Sequence, residues 1–133
     1  MKFLLDTNIC IYLIREKPEQ VLKQVTSRSP EDLALSSITV AELEYGVAKS
    51  AHSAKNAAAL ENFLRAFHVL DFDSAAAGVY GKVRASLERS GHPIGPLDTL
   101  IGAHALSLGL ALVTNNPREF TRIEGLKIQN WAK

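Results

Sequence analysis

Short apolar runs alternate along this chain with longer stretches in which apolar residues return at helical spacing. Phe3, Leu4 and Leu5 form an uninterrupted run that ends in Asp6, Thr7 and Asn8, a turn-forming cluster. Residues 9–15 predict a helix, and residues 18–28 a second, with Pro18 near its start, where a missing N–H costs little. Leu33, Ala34 and Leu35 predict another strand, followed by Ser36 and Ser37. Val40, Leu43 and Val47 share one face of a helix expected over residues 39–50, and an alanine-rich helix is expected over 53–67. Val69 and Leu70 predict a third strand, and residues 74–90 a helix closed near Gly91. After Pro96, the residues Leu97, Ile101, Ala105 and Leu108 recur at helical spacing as far as Gly109. Residues 110–113 read as a fourth strand and residues 127–129 as a fifth. Short strands that are apolar throughout and separated by helices predict an α/β protein whose parallel sheet is covered on both faces.

In such folds polar sites gather beyond the carboxyl ends of the strands. Strand one ends at Asp6. Strand two leads into the helix that holds Glu42. Strand four ends at Thr114, Asn115 and Asn116, with Glu119 just beyond, and the helix before it carries Asp98 in its first turn. A parallel sheet brings all of these to one edge. Each acid also has an ordinary structural use. Asp6 can make an Asx turn with Asn8. Glu42 can close a capping box begun by Thr39. Asp98 suits the positive end of a helix dipole, and Glu119 can be a plain surface acid. Gathered together, however, carboxylates repel one another unless a cation binds. Oxygen-rich acidic sites suit Mg²⁺ or Mn²⁺, which keep several waters and take a phosphate oxygen as well. Such ions polarise a phosphoryl group and activate a bound water. Gly102, one turn after Asp98, either leaves room for this site or serves helix packing.

Composition narrows the setting. A length of 133 residues, 47% of them hydrophobic, is read as one domain spanning 1–133, with a core that needs no disulfide or structural zinc. Cys10 is the sole cysteine, and no Cys/His cluster has zinc-site spacing. A lone cysteine favours a reducing compartment. No apolar run approaches the roughly 18 residues of a membrane span, and the first residues lack a signal peptide's apolar stretch. The expectation is a cytoplasmic protein with no membrane partner. A formal net charge of +1 gives no strong nucleic-acid footprint. Setting four of the 14 acidic side chains against bound cations leaves the 15 basic ones in excess. A modest basic rim around an acidic hole suits a polyanion. His52, His68, His92 and His104 show no catalytic spacing, and His104, mid-helix among apolar residues, reads as packed rather than as a ligand.

The segment Phe3-Leu4-Leu5-Asp6-Thr7-Asn8 resembles the opening of a PIN domain. Ala41-Glu42-Leu43-Glu44-Tyr45-Gly46 resembles the second motif of that family, in which the first acid is the active one. Ile94-Gly95-Pro96-Leu97-Asp98, followed by Ile101-Gly102-Ala103-His104-Ala105, resembles the third, and Leu112-Val113-Thr114-Asn115-Asn116-Pro117-Arg118-Glu119-Phe120 the fourth. The motifs stand in the family's order across nearly the whole chain, and the chain is most similar to the VapC toxins within it. The resemblance implies a three-layer α/β/α sandwich around a parallel sheet of four to five strands. It also implies an Mg²⁺- or Mn²⁺-dependent endoribonuclease, the toxin of a type II toxin–antitoxin pair, which stops translation. Position by position, Asp6, Glu42 and Asp98 match the three main acids and metal ligands. Thr7 and Thr114 match places where a hydroxyl supports the site or its water. The departure is at Asn116, where many PIN domains have Asp; Glu119 is the nearest substitute.

The reaction implied is hydrolysis of an RNA phosphodiester by a metal-activated water, leaving a 5′-phosphate and a 3′-hydroxyl. Asp6 and Asp98 would hold the ion directly, and Glu42 would bind it directly, bind it through water, or orient the nucleophile. The implied substrate is a structured RNA, a tRNA anticodon loop and initiator tRNA among the choices. Exposed loops let bases stack and basic residues reach phosphates, and Arg15, Lys17, Lys82, Arg84, Arg89 and Arg118 are candidate contacts, each equally readable as part of a solvated face. The partners implied are a VapB-like antitoxin, whose peptide would cover the acidic groove with an Arg among the carboxylates, and a second copy of the chain in a homodimer. Two other readings compete. A phosphatase with an aspartate nucleophile at the end of strand one needs a second acid two residues on, where this chain has Asn8, and lacks its Ser/Thr and Lys partners. A catalytically weak binding or dimerisation module on a PIN fold is kept open by Asn116.

Overall fold

The computed structural model describes residues 1–132. In chain order its elements are β1 (Phe3–Leu5), α1 (Thr7–Arg15), α2 (Glu19–Thr26), a 3₁₀ turn (Pro30–Asp32), β2 (Leu33–Ser36), α3 (Ser37–Ala48) and α4 (Ser53–Leu64). They continue with β3 (His68–Leu70), α5 (Ser74–Arg89), α6 (Pro96–Leu108), β4 (Ala111–Val113), α7 (Pro117–Phe120) and β5 (Ile128–Gln129).

The apolar run of β1 is buried at every position because it lies mid-sheet between two cores. All five strands are parallel, in the order β3-β2-β1-β4-β5. Leu5 sits beside Leu35 on one side and Val113 on the other. Phe3, Leu5, Leu35 and Val113 face a core closed by Ile9 and Leu13 of α1, Val21 of α2, Leu43 of α3 and Leu60 of α4. Leu4, Ala34 and Leu112 face the opposite core, closed by Val83 and Leu87 of α5 and by Ile101 and Ala105 of α6. The result is the expected three-layer α/β/α sandwich. The chain passes outward from β1 to β2 and β3, then returns across β1 to β4 and β5. That reversal leaves a crevice at the carboxyl end of β1.

Local chemistry moves several boundaries from their sequence-based places. Helix α1 starts at Thr7 rather than residue 9 because Asp6 caps it, its Oδ1 accepting from Ile9 N at 2.9 Å. Helix α3 starts at Ser37 rather than residue 39 because Ser36 is the cap, its Oγ accepting from Ile38 N at 3.0 Å. Strand β4 starts at Ala111 rather than residue 110, since the Leu110 N–H is spent on the Ala105 carbonyl where α6 closes at Gly109 (φ 69°). The helix expected over 53–67 ends at Leu64, and that expected over 18–28 covers Glu19–Thr26. Among the described residues, no helix is long and apolar enough to cross a membrane.

Candidate functional site

The crevice is a cleft of about 930 Å³, and Asp6, Thr7, Glu42 and Asp98 all line it. Each arrives by its own route. Asp6 follows β1 directly and is held by capping α1. Glu42 lies in α3, which leaves the end of β2. Asp98 lies in the first turn of α6. The apolar walls come from Ile11 and Ile14 of α1, Val47 of α3 and Leu60 of α4.

Asp6 is only 4% exposed. Its carboxyl is raised to about 6, first by burial and then by the charges of Asp98 and Glu42; the Thr114 hydroxyl and the Ile9 N–H pull it part of the way back. Asp98 is also raised, by burial and then by Glu42 and Glu119. The four predicted acids therefore act on one another, with Glu119 of α7 bearing on Asp98. Thr7 donates to Glu42 Oε1 at 2.6 Å and stands 3.4 Å from the Thr39 hydroxyl. Glu42 thus answers to Thr7, and the capping-box reading fails because Thr39 lies inside α3 while Ser36 caps it. The expected Asx turn at Asn8 is likewise replaced by the bond from Ile9 N to Asp6. Thr114 is fully buried, and its Oγ1 accepts from Asn116 N at 2.9 Å, which fixes the hydroxyl beside Asp6. Asn116 contributes that backbone N–H and makes no side-chain cap to α7.

Among the described residues, no three His, Cys, Asp or Glu side chains stand close enough to enclose a metal ion. The donor set still fits a hard divalent cation. Mg²⁺ keeps most of its waters and needs only one or two direct carboxylates. A buried carboxyl raised by burial and two facing acids has the excess negative charge that such an ion would neutralise.

Other predicted residues divide. Arg15 lines the cleft, whereas Lys82 lines a separate cavity of about 160 Å³ with Arg122 and Glu124. Arg84 is exposed on α5 and bonds Glu88 at 3.2 Å and the Tyr80 hydroxyl at 3.1 Å. Arg118 is exposed on α7. Gly102 serves packing: a Cβ there would come within 2.5 Å of Ile123 Cδ1 and 3.4 Å of a Phe120 ring carbon. His104 is buried, with Nδ1 2.8 Å from Ser36 Oγ, as its packed reading requires. Tyr45, Lys49 and Asn56 line the cleft without having been singled out from the sequence. The spacing of Glu42, Tyr45 and Lys49, three and then four residues apart, is the signal that could have found the first two.

Residues 3–126 match the family described as PIN domain. The chain is 46% identical over 132 residues, 99% of each protein, to the tRNA(fMet)-specific endonuclease VapC of Shigella flexneri. It is 43% identical over 132 residues, again 99% of each, to ribonuclease VapC2 of Haemophilus influenzae. It is similar in fold to a chain of the DNA-bound VapBC crystal structure from Salmonella typhimurium, with a TM-score of 0.94, 46% identity and 98% of each chain covered.

Proposed function

The chain belongs to the PIN-domain family, and from that premise we propose that it is a divalent-metal-dependent endoribonuclease of the VapC type, the toxin of a toxin–antitoxin pair. The observation that carries this reading is Asp6: a buried carboxyl at the end of the central strand, raised to about 6 by burial and by the facing acids Asp98 and Glu42. Burial, with the facing acids adding to it, makes that negative charge costly, and a bound cation that also takes a phosphate would offset the cost.

Asp6 and Asp98 are the residues that would hold Mg²⁺ or Mn²⁺ directly, with Glu42 joining through water, and Glu119 and Asn116 completing the set. Bound there, the ion would supply charge for a phosphoryl oxygen and a water of lowered pKa. The Ile9 N–H fixes Oδ1 of Asp6, so that its carboxylate keeps one direction. Thr7 occupies Oε1 of Glu42, leaving the other oxygen free to orient a water or take its proton. Hydrolysis this way leaves a 5′-phosphate and a 3′-hydroxyl.

The relative named as a tRNA(fMet)-specific endonuclease supports initiator tRNA as the substrate, and we extend the proposal to a cut in an exposed loop such as the anticodon loop. The VapBC structure supports a VapB-like antitoxin as partner, and we extend the proposal to its covering the cleft and to a cytoplasmic homodimer. Purified, antitoxin-free protein incubated with total bacterial RNA in Mg²⁺, Mn²⁺ or EDTA tests this, with Asp6→Ala alongside and fragment ends sequenced. Discrete metal-dependent cuts, absent in Asp6→Ala and carrying 5′-phosphates, are expected. Cyclic-phosphate ends, or cuts that survive EDTA, would overturn the mechanism.

A further inference from the structure

The acids leave one side of the cleft unexplained. Along α3 and its C-cap Lys49, the residues Glu42, Tyr45, Gly46 and Lys49 are spaced three and four apart, so they share a face, and all four line the cleft. Tyr45 is 66% exposed, one turn from Glu42, more than any other large hydrophobic side chain among the described residues. The Lys49 ammonium lies 4.9 Å from its ring centroid. Gly46 sits inside the helix, where glycine costs about 1 kcal/mol relative to alanine. Yet a Cβ there would meet nothing within 4 Å. Neither packing nor backbone conformation calls for a glycine; what its absence of side chain preserves is open space in the cleft. Arg15 and Lys49 are exposed, and among the described residues neither forms an ion pair.

We propose that Tyr45 is a stacking platform for one unpaired base beside the cut phosphodiester, that Gly46 keeps the space for that nucleotide open, and that Lys49 and Arg15 hold its phosphates. The proposal rests on the ribonuclease reading of the acids and names how the same site selects its substrate. An aromatic face next to cations that no carboxylate engages matches the two halves of a single-stranded nucleotide, base and phosphate. A paired base cannot present its face to Tyr45, so the platform selects loops over duplex. Cations flanking the ring favour a nucleotide as what this face meets during cleavage, when no antitoxin covers the cleft.

The test compares Tyr45→Ala, Tyr45→Phe and Gly46→Leu with the parent on the RNA that the parent cleaves. The same RNA is also made with an abasic nucleotide on either side of the cut. Tyr45→Ala is expected to lose about tenfold in kcat/KM, and Tyr45→Phe to recover most of that loss. The abasic RNA should lose a similar factor with the parent and nothing further with Tyr45→Ala. Gly46→Leu should lose cleavage while melting no lower than the parent, a split that a purely structural glycine would not give. A parent that cleaves RNA while Tyr45→Ala matches it, or an abasic penalty equal in both proteins, overturns this inference alone. If Tyr45→Ala cleaves normally but escapes its antitoxin, the platform belongs to a protein partner and the inference falls. A parent that cleaves no RNA overturns the ribonuclease reading and this inference with it.

Discussion

Asp6 and His104 are both nearly sealed from solvent, at 4% and 1% exposure, and burial shifts the pKa of both. Their surroundings otherwise differ. His104 is matched: Ser36 Oγ meets its Nδ1 at 2.8 Å, Phe72 packs edge-on at 5.3 Å, and its pKa is lowered by burial against a partial pull from Asp73 and Asp71. Ser36 accepts from Ile38 N, so its own proton is free for the imidazole, and the pair ties α6 to the start of α3. Asp6 caps α1 by accepting from Ile9 N but faces two more carboxylates with no counter-charge, and it opens onto a cleft. A shifted pKa therefore does not mark a site by itself. Like charges converging on solvent mark one, and a neutral buried pair marks a joint of the fold.

The largest effect that separates the two is on chemistry. Asp98→Asn, which keeps shape and removes charge, should lower kcat by about a thousandfold or more, given the several kcal/mol that a metal site supplies, with an unchanged urea midpoint or a higher one. Steady-state cleavage and urea unfolding read both quantities. His104→Ala should do the reverse. It empties a buried position and leaves the Ser36 hydroxyl without its partner, so stability should fall by about 3 kcal/mol. The kcat of the remaining folded molecules should stay within about threefold; a collapse of kcat at unchanged stability would assign His104 to the site. Thr7→Val sharpens the acid side. Losing the 2.6 Å bond to Glu42 should cost about tenfold in kcat, or about 1.4 kcal/mol, with little change in melting temperature.

The architecture was legible because apolar runs bounded by turn residues report strands directly: Phe3–Leu5 and the stretch before Thr114 are unambiguous. Boundaries were less so, since each hangs on one capping bond. Ser36, Ser37 and Thr39 all look like caps in sequence, and only the fold shows Ser36 taking the Ile38 N–H. Helix α7 is four residues long, too short for any periodicity. The acids were legible because parallel topology sends strand ends to one edge. The basic residues, Arg15 apart, were not, because a cation on an exposed helix face has the same neighbours in sequence whether or not it overlooks a cleft. Lys82 and Arg84 on α5 were candidates and lie outside the cleft lining, whereas Lys49 lines it and went unnoticed.

The central claim is that Asp6 is held at a cost which a cation removes. Its folded pKa of about 6 lies above the ordinary aspartate value of 3.8. Its contribution is thus intact below about pH 4 and lost as pH rises through 6, for a deficit of about 3 kcal/mol at neutral pH. His104 works the other way, its contribution present above its unfolded value and lost as pH falls, but it is common to parent and variant and cancels between them. The direct measurement is the melting temperature of parent and Asp6→Asn, in EDTA and in Mg²⁺, from about pH 4 to about pH 7.5. The account predicts that metal-free Asp6→Asn melts several degrees above the parent near neutrality, that the gap closes toward pH 4, and that Mg²⁺ raises the parent alone. An Asp6→Asn protein that melts lower than the parent throughout, with Mg²⁺ acting equally on both, would make Asp6 a helix cap and nothing more.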